Sequence, residues 1–81
     1  MASNLERKFA LFWKALNGPE LKPEVKVIAT RRWRFDFVHD ATRTIFEIEG
    51  GVWSGGRHTR GAGFTADCEK YNEAAFGGWT V

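Results

Sequence analysis

Residues 31–51 read RRWRFDFVHDATRTIFEIEGG, and no other stretch confines the fold so tightly. Apolar and polar side chains alternate through it twice. In 32–37, Trp33, Phe35 and Phe37 fall on one side and Arg32, Arg34 and Asp36 on the other. In 44–49, Phe46 and Ile48 share a side, while Ile45, Glu47 and Glu49 share the opposite one. A period of two marks a β-strand with two unlike faces. The intervening HDATR is a short reversal, so the segments form an antiparallel hairpin. With Ala41 and Thr42 at its tip, Asp36 lies opposite Glu47 and Arg34 opposite Glu49. Any register that joins the apolar faces also brings the three carboxylates together. An unpaired buried charge is costly, so these acids need a reason to be there.

The hairpin is flanked by helices. Ser3 and Glu6 have capping-box spacing at the start of the first. Leu5, Phe9, Phe12, Trp13 and Leu16 then recur as one apolar stripe, and NGPE ends it, with Gly18 as the C-terminal cap. Val25 to Ala29 alternates as a first strand, with Val25, Val27 and Ala29 on one side. Residues 50–63 hold six of the nine glycines and form a long loop. Phe64, Cys68, Tyr71 and Ala75 recur at helical spacing, giving a second helix from about Thr65 to Phe76. Gly77 and Gly78 end that helix, and WTV opens a last strand. The order αβββαβ predicts an α/β domain: a mixed sheet, its last strand parallel, with helices packed against it.

At 81 residues the chain is one domain, and a core this small is marginal. One cysteine excludes an internal disulfide and fits the reducing cytoplasm of a bacterium or phage-infected cell. Stability must come from aromatic packing (seven Phe, four Trp and one Tyr), from a second copy in a homodimer, or from a ligand. No apolar run is long enough for a signal peptide or a membrane span. The net charge of +2 is mild, but Arg31, Arg32, Arg34, Arg57 and Arg60 cluster around the hairpin and the glycine-rich loop. Arginines near aromatics suit a polyanion such as nucleic acid.

Three carboxylates on neighbouring strands, with cross-strand Cβ atoms about 5 Å apart, repel one another, and a divalent cation removes the conflict. Mg²⁺ takes one or two carboxylates together with water and phosphate oxygens. The competing arrangement pairs Glu47 and Glu49 with Arg34 and Arg32 on a solvated face. Gly50 and Gly51, which follow Glu49, allow close approach of backbone or ligand. Arg57 and Arg60 match phosphate oxygens, and His58 is either an acid–base group or an ordinary loop residue. Lys70 pairs with Asp67 in solvent or points toward the sheet. Glu6 serves the helix cap, or reaches the cleft as an additional metal contact. One cysteine with His39 and His58 makes no zinc site, and no phosphate-binding GxxxxGK[ST] loop occurs.

Together, RRWRFDF, EIEGG, GRHTRGAGF and DCEKYN resemble the PD-(D/E)XK nucleases, in particular small phage and bacterial enzymes related to very-short-patch-repair-like and Holliday-junction-resolvase-like endonucleases. The resemblance spans about residues 3 to 81. It implies a restriction-endonuclease-like αβββαβ core and Mg²⁺-dependent cleavage of DNA, with Mn²⁺ able to substitute. By position Asp36 and Glu47 match the metal ligands. Glu49 stands where the family usually has lysine, so Glu49 joins the ligands and Lys70 on the next helix is the replacement. Glu6 is a further candidate ligand. Arg32, Arg34, Arg57, His58 and Arg60 then lie along the DNA, and a homodimer completes the cleft. A nucleic-acid-binding module without catalysis is the alternative.

Overall fold

The computed structural model describes residues 3–49 and 61–81, the side chains of 61–65 excepted. Helix α1 (Asn4–Ala15) begins where the cap predicts: Ser3 Oγ accepts from the Glu6 amide at 3.1 Å and donates to the Glu6 carboxylate at 3.2 Å. It ends one residue earlier than expected. Asn17, not Gly18, takes the left-handed conformation (φ 58°), and the amides of Asn17 and Gly18 donate to the Lys14 and Trp13 carbonyls. That is a Schellman closure. Gly18 has a different role, because a Cβ there would stand 2.4 Å from Trp13 Cε2. The absent side chain makes room for the indole, which donates to the Pro19 carbonyl at 2.7 Å.

Strands β1 (Lys22–Val25), β2 (Phe35–His39) and β3 (Thr44–Phe46) form an antiparallel sheet in that order. The first strand lies earlier than the expected Val25 to Ala29. Pro23, which lacks a ladder donor, is tolerated because β1 is an edge strand. A single 3₁₀ turn (Asp40–Thr42), closed by Arg43 at φ 50°, makes the reversal. Phe37 pairs with Phe46 and Val38 with Ile45. Continuing that ladder one step sets Asp36 across from Glu47, the register the sequence implies. Thr80 adds a parallel bridge to Thr44, so the expected last strand is reduced to one pair.

Neighbouring residues in a strand face opposite ways, and each side of this sheet meets a different helix. On one side Phe9 of α1 packs on Phe37 and Phe46, with ring centroids 5.0 and 5.9 Å apart, and Trp13 packs on Phe46 at 5.1 Å. On the other, Ala74 of helix α2 (Gly61–Phe76) is buried with Val38, Ile45 and Phe35. The domain is therefore mixed α/β, with two helices and a small antiparallel sheet.

Three expectations change here. Of the first apolar stripe only Phe9 and Trp13 pack inward, while Leu5, Phe12 and Leu16 are exposed. On α2 the buried alanine is Ala74, not Ala75, and the helix already includes 61–63, which the glycine content places in the loop. Phe35 joins the cluster beneath α2 rather than sharing the environment of Phe37. Strand β2 begins only at Phe35, and both phenylalanines lie within it, so alternation fails between them, beside the left-handed Glu24 across the ladder.

Candidate functional site

The ladder between β2 and β3 ends at the Phe37–Phe46 pair, and beyond it side chains take over. The Asp36 amide donates to Glu47 Oε2 at 2.8 Å, and the Ile48 amide donates to Asp36 Oδ2 at 2.8 Å. Each acid thus satisfies the backbone beside the other, which fixes both carboxylates at the mouth of the hairpin. Both lie on the side of the sheet that carries Val38 and Ile45, the side covered by α2.

Ala74 is what lets α2 approach closely. Its methyl group rests fully buried against the sheet, and one turn earlier the same helix face carries Lys70. The Lys70 ammonium donates to Glu47 Oε1 at 2.8 Å and to the Arg34 carbonyl at 2.9 Å, and lies 4.6 Å from the Phe35 ring centroid. With side chains only 17% and 11% exposed, Lys70 and Glu47 form a largely desolvated pair rather than a surface one. The Tyr71 hydroxyl donates to Glu49 Oε2. Arg31 ties the same helix to the chain entering β2 through Glu73 at 2.6 Å and Glu69 at 3.5 Å, and stacks on Trp33.

Burial pushes the Asp36 carboxyl above the usual aspartate range, against the Ile48 amide that favours its charged form, and the neighbouring Glu47 pushes it further up. Burial likewise raises the Tyr71 hydroxyl, with Glu49, Glu47 and Asp67 adding to the effect. Tyr71 therefore stays protonated and acts as a donor at neutral pH.

Of the expected three-acid convergence, the structure brings together two members. Asp36 and Glu47 meet, whereas Glu49 is turned onto Tyr71. Glu6 is engaged with Ser3 on the helix that covers the opposite side of the sheet. Among the described residues no three His, Cys, Asp or Glu side chains form one metal-holding group. The pair still suits a hard cation. Magnesium needs only one or two carboxylates, completed by water and phosphate oxygens. A carboxylate also has about four acceptor positions, so the Lys70 and amide contacts leave acceptor positions unused.

Lys70 and Tyr71 take the places at Glu47 and Glu49 that the competing arrangement gives to arginines. Lys70 is accordingly not the solvated partner of Asp67. Arg32 and Arg34 are exposed, and Arg34 contributes its carbonyl to the site. Arg57, His58 and Arg60 lie outside the described residues. Two members of the constellation are not evident from the sequence pattern. Tyr71 reads as one position of an apolar stripe, although a hydroxyl next to Lys70 is the available signal, and Arg31 reads as one of several clustered arginines.

Compared with known proteins, the chain matches no family profile, and no curated protein or solved structure shows a significant match to it.

Proposed function

We propose that this chain is a Mg²⁺-dependent endonuclease of the PD-(D/E)XK type, with a restriction-endonuclease-like core, hydrolysing DNA phosphodiester bonds. One observation carries the reading. Glu49 occupies the position where such enzymes usually have lysine, and an ammonium from α2, that of Lys70, reaches Glu47 beside Asp36 instead. A carboxylate pair with an adjacent ammonium is one set of groups that supports metal-assisted phosphodiester hydrolysis.

In this reading Asp36 and Glu47 hold the divalent ion, Mg²⁺ or Mn²⁺, which supplies charge neutralisation at the phosphate and an acidified water. A bound cation would favour the charged form of Asp36, opposing the upward push of burial on its carboxyl. Lys70, steadied by the Arg34 carbonyl and the Phe35 face, donates to a phosphate oxygen or orients the attacking water. Arg32 and Arg34 beside the site, with Arg57, His58 and Arg60, contact the DNA backbone, which gives affinity without sequence readout. Two copies related by a two-fold axis would cut paired strands, so four-way-junction DNA is the substrate class to try first.

The test is cleavage of linear, nicked, flapped and four-way-junction DNA with Mg²⁺, Mn²⁺ or EDTA. The expected result is cutting with either metal, none in EDTA, and a loss of about 100-fold or more for Asp36→Asn and Lys70→Ala, the scale of removing a group that stabilises transition-state charge. DNA binding that ignores EDTA and survives Asp36→Asn, with no cutting of any substrate, would instead make the chain a binding module.

A further inference from the structure

The two glutamates that follow β3 are held by consecutive residues of one helix. Lys70 takes Glu47, and Tyr71 takes Glu49. Glu47 and Glu49 are two residues apart and both reach α2, and on extended backbone that spacing sets two Cβ atoms on one side about 7 Å from each other. A glutamate side chain is long enough to close that gap, and an unrestrained Glu49 would turn toward any cation beside Glu47. In the structure its carboxylate is occupied by the phenol. Tyr71 is well placed to hold it. The ring packs against the buried cluster of Phe35, Val38, Ile45 and Ala74, so the hydroxyl projects from an anchored support, while Glu49 itself is exposed.

We propose that Tyr71 is a positioning residue that sets the carboxylate count of the site, keeping Glu49 away from the Asp36–Glu47 pair. This rests on the reading of that pair as a divalent-metal site. The chemical consequence is ion selectivity. Two carboxylates with open positions suit Mg²⁺, which retains water, whereas a third protein carboxylate favours Ca²⁺, which accepts six to eight oxygens at longer distances. The tyrosine thereby holds the site in its magnesium form.

Titration calorimetry with Mg²⁺ alone and Ca²⁺ alone, without DNA, tests this on the wild type, Tyr71→Phe, Glu49→Ala and the double variant. Tyr71→Phe should raise Ca²⁺ affinity about tenfold and Mg²⁺ affinity much less. Glu49→Ala should resemble the wild type, and the double variant should lose the gain. Tyr71 is the only tyrosine in the chain, so the single Cζ resonance of ¹³C-tyrosine-labelled protein reads the contact before any metal is added. That resonance should move on Glu49→Ala. A Ca²⁺-to-Mg²⁺ affinity ratio unchanged in Tyr71→Phe, a gain that survives Glu49→Ala, or an unmoved resonance would each overturn the proposal while leaving the metal site standing. A wild type that binds neither ion at millimolar concentration would overturn both.

Discussion

Asp36 and Glu47 are adjacent acids, yet neutralising them should have opposite effects on the metal-free fold. Glu47 has a cationic partner, and most of that pair is shielded from water. Lys70→Met and Glu47→Gln should each cost about 2–3 kcal/mol, less than for a fully buried pair, because each change strands the other member. The double variant should cost clearly less than the sum, as measured by urea denaturation. Asp36 is different, since its proton is held more tightly in the folded chain than in the unfolded one. Its contribution to stability is complete below the usual aspartate range and disappears as pH rises through the folded-state value. In EDTA, the stability of wild type relative to Asp36→Asn should therefore fall as pH rises across that interval, and the variant should be at least as stable at neutral pH. Adding Mg²⁺ should stabilise the wild type and not the variant. A difference that moved in favour of the wild type with rising pH would contradict the burial of this acid.

At the scale of the element, α1 is fixed at both ends by side chains it needs locally, and its docking depends on one glycine. Gly18 has no positive φ to require it, so its role is space beside Trp13. The indole cannot easily give way, being hydrogen-bonded to Pro19 and packed on Phe9 and Phe46. Gly18→Ala should cost about 1–3 kcal/mol, the range for overpacking, and the cost should largely vanish in a Trp13→Phe background, read by thermal melts of the four proteins. Helix α2 shows the same dependence from the other side. Ala74 sets its distance from the sheet, and that distance decides where Lys70 and Tyr71 land. β1 is irregular at Glu24, which lies opposite Asp36 in the β1–β2 register and has φ 51°, a left-handed conformation uncommon for glutamate. The backbone departs from regular sheet next to the candidate site.

For the molecule as a whole, the useful quantity is which cations remain for a polyanion once internal pairs are formed. Arg31 is committed to Glu69 and Glu73, and Lys22 to Asp40. Arg32 and Arg34 are exposed, and the Arg34 backbone adjoins the carboxylate pair through Lys70. If DNA lies there, neutralising Arg34 or Arg57 should lower the slope of log affinity against log salt by about 0.9 for each phosphate that loses its cation. Arg31→Ala should instead lower stability and leave the slope nearly unchanged, a contrast that filter binding at several salt concentrations resolves. No helix among the described residues is long and apolar enough to cross a membrane. By itself the sequence determined the start of α1 and, to within two residues, the register of the hairpin, because a capping box and a short reversal between two alternating segments act within a few residues. That register alone set Asp36 against Glu47. Only the tertiary structure decided that Lys70 would reach Glu47, that Glu49 would be drawn to Tyr71, and that Phe12 and Leu16 would face outward. Those outcomes depend on how a helix is rotated and how near it lies to the sheet. A helix turns about 100° per residue, so a small change in the side chains it rests on re-aims every group it carries.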